Sequence, residues 1–144
     1  MKHSANLNSI PHPMKIKHLF PFFLICTCIT TLVGCNINPK VQHLSSDEFE
    51  SLIQEEDVQR VDVRTVAEYS DGHIPGSINL NILDKNFSSE AQELLTKEAP
   101  VAVYCKSGRR SRKAANILTE LGFNVYNLDK GIEDWKKNKK NIEK

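Results

Sequence analysis

The chain has 144 residues and a formal net charge of +1 at pH 7. That is enough for one folded core plus an extension, and the balance excludes a generally basic nucleic-acid binder. Its 19 basic residues include Lys2, Lys15 and Lys17 near the start, whereas all 18 acidic residues lie at or beyond Asp47. The body is therefore mildly acidic.

Residues 1–13 contain Asn, Ser, Pro and two His and resemble neither a basic leader nor an apolar core. Met14 directly precedes Lys15-Ile16-Lys17, so translation is expected to begin at Met14. Leu19 to Leu32 is apolar apart from its threonines, short for a bilayer span and suited to a signal-peptide core. It runs into Leu32-Val33-Gly34-Cys35, which resembles the lipobox of bacterial lipoproteins, whose cysteine is lipidated and becomes the first mature residue. Residues 1–34 are expected to be a signal peptide and 35–40 a lipidated tether. The product would be exported and membrane-anchored through Cys35, facing the periplasm or cell exterior. An ordinary secretory signal and an uncleaved anchor are the alternatives. Cys26 and Cys28 would be removed with the leader, leaving Cys105 as the one thiol of the folded body.

Val41–Leu44 reads as a first strand. Ser45 and Glu48 have capping-box spacing ahead of an apolar stripe of Phe49, Leu52 and Ile53. Val58–Val63 is a strand, and Thr65 caps a short helix through Tyr69. The turn-rich Gly72-His-Ile-Pro-Gly76 leads into a strand over Ser77–Leu80. Ser88–Lys97 is helical, with Ala91, Leu94 and Leu95 inward. Val101–Tyr104 is apolar throughout, as a strand covered on both faces would be. Ser111 opens a longer helix whose Ala114, Ala115, Ile117, Leu118 and Leu121 share one face, and Gly122 ends it. Asn124–Asn127 is a further strand. Gly131–Trp135 opens a last helix that fades into a solvated, lysine-rich end. The alternation predicts an α/β fold in three layers: a central, mostly parallel sheet of about five strands with helices on both faces. Residues 41–138 would form the domain and 139–144 a basic tail.

The chemistry concentrates in Cys105-Lys106-Ser107-Gly108-Arg109-Arg110-Ser111. Strand, loop and helix together point backbone N–H groups and a helix N-terminus at one spot. A thiol placed there is expected to be exposed and biased toward thiolate. Gly108 permits tight curvature. Arg109 and Arg110, inside the loop, would contact an anion, whereas Arg112 and Lys113 read equally well as a solvated helix face. Asp62 and Arg64 are expected to form an internal ion pair that fixes the loop, and His73 to be structural. One cysteine and two histidines at unrelated spacings give no metal site, and no cofactor is expected.

Taken together, several linked stretches resemble a single-domain rhodanese. They are Val61-Asp-Val-Arg64 with Glu68-Tyr69, Gly72-His-Ile-Pro-Gly-Ser-Ile-Asn79, Cys105 to Ser111, and Gly131 to Trp135. One departure is Lys130, where many relatives carry the first of two glycines. The resemblance implies a thiosulfate sulfurtransferase: Cys105 takes the outer sulfur of thiosulfate or a similar sulfane-sulfur donor, becomes a persulfide, and passes the sulfur to cyanide, a small thiol or a thioredoxin-like acceptor. The Lys106–Ser111 amides would stabilise the thiolate, and Lys106, Arg109 and above all Arg110 would hold the donor's sulfonate end. A monomer is expected. Two rivals stand beside this reading. A thiolate phosphatase or arsenate reductase would want Arg six positions after the cysteine, where this chain has Ser111, and its loop would be one residue longer. A non-turnover sulfur carrier or redox binding module would need the cysteine but no steady-state transfer.

Overall fold

In the computed structural model, which describes residues 41–144, five parallel strands form one sheet. They are β1 (Gln42–Leu44), β2 (Gln59–Asp62), β3 (Ser77–Asn79), β4 (Val101–Tyr104) and β5 (Val125–Leu128), in the spatial order β1-β5-β4-β2-β3. The expected signal segment, the Met14 start, Cys35 and the tether fall outside the described residues. The sheet is wholly rather than mostly parallel. β4 is central, and its four residues are all buried, which explains their uninterrupted apolar run.

Helices α1 (Ser46–Leu52), α2 (Val66–Ser70), α3 (Phe87–Leu94), α4 (Arg109–Glu120) and α5 (Gly131–Lys137) connect and follow the strands. Phe49 of α1 with Ile132 and Trp135 of α5 pack on Ala102, Tyr104 and Leu128. Phe87 and Ala91 of α3 with Ala114, Ala115 and Leu118 of α4 pack on Val61, Val63, Val101, Val103 and Val125. The alternation of Val101 and Val103 with Ala102 and Tyr104 between the two clusters is the strand's period of two.

The expected capping box of α1 forms, and the expected cap Thr65 of α2 proves to belong to a second one. Ser45 and Glu48 close α1 reciprocally, and Thr65 and Glu68 do the same for α2. Three expectations need correcting. Leu94 is 60% exposed although its neighbours Ala91 and Leu95 are buried, because α3 ends at Leu94 and the chain turns extended. α4 begins at Arg109, not Ser111: Gly108 caps it with φ at +89°, and the Ser111 hydroxyl sits within the first turn, donating to Gly108 O at 3.1 Å. The C-terminal end is not all solvated. Lys140 Nζ lies 2.7 Å from Asp47 Oδ1 and 2.6 Å from Glu50 Oε2, the Trp135 indole N–H donates to Asn141 O at 2.7 Å, and His73 and Glu143 exchange backbone hydrogen bonds.

Tyr104 ties β4 to the turn before β3. Its hydroxyl accepts the Ile74 N–H at 3.0 Å and donates to Ser77 Oγ at 3.2 Å. Burial foremost pushes its ionisation above the ordinary range, so it remains a neutral donor. Tyr104→Phe leaves the buried Ile74 N–H without a partner. The expected loss is about 1–3 kcal/mol of unfolding free energy, read from urea denaturation.

Candidate active site

Cys105 follows β4 directly, at the carboxyl end of the central strand. Parallel sheets gather their sites there because the following loop and helix N-terminus converge on that edge. The sulfur accepts the Gly108 N–H at 3.2 Å. It is recessed, not exposed as the sequence suggested: the residue is 1% accessible, and its side chain packs in the cluster with Val103 and Ala114. Burial is the largest single influence on this thiol and acts to raise its pKa. The Ser111 hydroxyl and the amides of Ser111, Ser107 and Gly108 together outweigh it, so the pKa lies below the ordinary cysteine value. The single Ser111 hydroxyl proton serves either Gly108 O or the sulfur, so the amides are the constant part of this stabilisation.

The loop is held from behind. The Ile132 N–H donates to Cys105 O at 2.9 Å and the Glu133 N–H to Lys106 O at 3.1 Å. These are orphan donors of the first turn of α5. Gly131, with φ at +66°, makes the approach possible, since a Cβ there would stand 2.5 Å from both of those carbonyl oxygens. Lys130 needs no glycine, because its φ is −104°. Gly108 is tighter still: a Cβ there would sit 1.8 Å from Asp129 O. Gly108→Ala therefore meets both a disfavoured backbone conformation and a wall of main chain. It should lose about 1–3 kcal/mol or more of stability in chemical denaturation, together with the low thiol pKa of Cys105.

The cations around the sulfur are mostly committed. Arg110 forks onto Glu68, with Nη1 to Oε2 and Nη2 to Oε1 both at 2.7 Å. Glu68 is thereby held at a pKa of about 2, the Arg110 guanidinium being the main cause, with burial opposing and Thr65 assisting. Lys106 Nζ stands 3.6 Å from Glu133, and Arg112 lies 3.4 Å from Asp129. Arg109 is exposed and makes no ion pair among the described residues. Arg110, the expected leading anion contact, therefore already carries a carboxylate partner. Ser107 contributes an amide, with its side chain outward.

Asp62 and Arg64 do pair. Arg64 Nε donates to both Asp62 oxygens at 2.9 Å, and Nη2 reaches Gly72 O at 2.9 Å. The pair is buried and braces the Gly72 turn, not the loop after Cys105. His73 stacks on Tyr69 at 3.7 Å between ring centroids, a packing position. A cleft of about 370 Å³ beside the loop is lined by Arg64, Glu68, Asp71, Lys106, Ile132, Glu133 and Lys136. Glu68 and the α5 clamp went unassigned in the sequence reading. Glu68 stood in the sequence only within the family-like stretch Glu68-Tyr69 and three residues after the cap Thr65, and neither place announces a partner 42 residues away.

The depressed pKa of Glu68 has a stability consequence. Its pairing with Arg110 stabilises the fold fully above the ordinary value of 4.5, and that contribution is lost as pH falls toward about 2. In denaturation series across this window, the wild type should lose more stability on acidification than Glu68→Gln does.

A thiol that accepts a loop amide at the end of a central parallel strand has the geometry that covalent sulfur or phosphoryl chemistry on an α/β sheet would need. The comparisons narrow this. The rhodanese-like domain family matches residues 45–138, and the chain belongs to that family. It is 35% identical over 96 residues to the thiosulfate sulfurtransferase GlpE of Shewanella oneidensis, covering 65% of this chain and 91% of that protein. It is 36% identical over 98 residues to GlpE of Coxiella burnetii, covering 67% of this chain and 86% of that one. Among solved structures, the rhodanese-like domain of the Anabaena protein Alr3790 superposes with a TM-score of 0.64 at 28% identity, over 70% of this chain and 77% of that one. A rhodanese-related protein of Thermoplasma volcanium gives 0.63 at 26% identity, over 71% and 97%.

Proposed function

We propose that the protein is a sulfurtransferase that moves a sulfane sulfur through a persulfide on Cys105. The observation that carries this reading is the sulfur's position: it accepts the Gly108 N–H, and the loop amides keep its pKa low despite burial. In the first half-reaction the thiolate attacks the outer sulfur of thiosulfate. A bond forms between the two sulfurs, the donor's sulfur–sulfur bond breaks, and its electron pair leaves with sulfite. In the second, cyanide or a thiol attacks the outer sulfur of the persulfide, and Cys105 returns as thiolate. Charge balances in both steps, and no base is needed because the nucleophile is already ionised. The anionic persulfide uses the same amides.

Arg109 and Lys106 would read the donor's sulfonate, since Arg110 is already occupied by Glu68. Ser107 to Ser111 supply amides, and Gly108 supplies the curvature. Arg109→Gln should raise KM for thiosulfate about tenfold with a smaller change in kcat, as for one lost charge-assisted contact. An unchanged KM would remove Arg109 from the donor site. Sulfite release from thiosulfate with cyanide as acceptor tests the whole reading. Wild type should turn over with parallel double-reciprocal lines and Cys105→Ser should not; equal rates would end it. A non-turnover carrier is the second reading, favoured by the recession of the sulfur. It would release one sulfite per chain and then stop.

We further read the protein as an exported, membrane-anchored lipoprotein facing the periplasm or cell exterior. The basic Lys15-Ile16-Lys17 stretch, the short apolar run and Cys35 after Leu32-Val33-Gly34 support this. Cys35→Ala should abolish fatty-acid labelling and membrane association; retained labelling would refute lipidation at this residue.

A further inference from the structure

We propose that Glu68 is a positioning residue that holds the Arg110 guanidinium beside the loop that follows Cys105, within electrostatic reach of its sulfur. For its catalytic consequence this rests on the sulfur-transfer reading, but its geometry and its test do not.

The contact joins two elements 42 residues apart in sequence. Both guanidinium nitrogens meet both carboxylate oxygens at 2.7 Å, a planar fork that fixes direction as well as distance. Glu68 is itself fixed from behind, because its Oε2 accepts the Thr65 N–H and hydroxyl, both at 3.1 Å. Thr65 follows Arg64, whose backbone is tied down twice: the Arg64 N–H donates to Asp62 Oδ1 at 2.9 Å, and the Asn79 amide donates to Arg64 O at 2.9 Å. Arg110 stands in the first turn of α4, in sequence between Gly108, whose N–H reaches the sulfur at 3.2 Å, and Ser111, and the charge of Cys105 adds to that of Glu68 in holding the arginine protonated.

The helix that carries Glu68 makes the case sharper. α2 buries no residue at all. Core packing therefore does not explain where its third residue points; its capping contacts to Thr65 and the fork to Arg110 do. A lone arginine in the first turn of α4 would also face the positive end of that helix. It would tend to swing into solvent, and the carboxylate of Glu68 offsets that tendency.

Glu68 is an anion near a thiolate, so removing it has two electrostatic effects of opposite sign. If Arg110 stays in place without it, a nearby negative charge disappears and the thiol becomes more acidic. If Arg110 leaves with it, the thiolate loses a cation and the thiol becomes less acidic. The direction of the shift thus separates positioning from a purely local role.

The experiment is the pH dependence of Cys105 alkylation by iodoacetamide, a neutral reagent that requires no sulfur chemistry. Four proteins are compared: wild type, Glu68→Gln, Arg110→Gln and the double variant. Glutamine preserves the capping box of α2, and Glu68→Asp, which keeps the charge but retracts it, serves as a fifth form. The midpoint should move upward by about one pH unit in Glu68→Gln and in Arg110→Gln. It should also rise in Glu68→Asp, and the double variant should go no higher than the single ones. A downward or absent shift in Glu68→Gln, or single shifts that add in the double variant, would overturn the assignment. A protein that transfers no sulfur but shows the upward, non-additive pattern would refute the proposed function and leave this inference standing.

Discussion

The structure depends on the direction in which two carbonyl groups point. Cys105 O and Lys106 O face back into the domain because the first turn of α5 takes them, through the Ile132 and Glu133 N–H groups. With those carbonyls turned away, the amides that follow are free to face the sulfur, and the Gly108 N–H reaches it at 3.2 Å. One helix start thus anchors the loop from behind while another, α4, closes it in front. Each uses donors that a helix must otherwise leave without an internal partner.

The result is a site whose charge is nearly balanced. Arg110 is offset by Glu68, Lys106 stands near Glu133, Arg112 near Asp129, and Arg64 is consumed by Asp62. The lowered pKa of Cys105 therefore comes mainly from aligned dipoles rather than from a pool of free cations, and it survives an unfavourable burial contribution. Dipoles of this kind are set when the chain folds and need no rearrangement as charge moves from the thiolate to a departing anion.

Much of this was legible in the sequence because the controlling interactions are local. The apolar run Val101–Tyr104, the capping pair Ser45–Glu48, the cap Thr65 and the strand-end Cys105 all declare themselves within a few residues, and each lies where its pattern placed it. What could not be read depends on partners far along the chain. The sequence shows cations beside Cys105 but not that Glu68 occupies one of them. It shows Gly131 but not the carbonyl oxygens that a Cβ would strike. It shows a strand-end cysteine, and the natural inference is exposure; the apolar side chains of α4 that close over it are supplied by packing. The lysine-rich end misleads for the same reason: nothing near Lys140 in sequence announces Asp47 and Glu50.

Recession of the sulfur is the point on which structure and chemistry press against each other most directly. Cys105 is 1% accessible, yet transfer requires a dissolved donor to bring its outer sulfur to Sγ with the breaking sulfur–sulfur bond in line. Intact mass of the folded protein after incubation with thiosulfate is the direct measurement. The account predicts a gain of one sulfur atom on Cys105, removed by adding cyanide. An unchanged mass for the folded chain would contradict it.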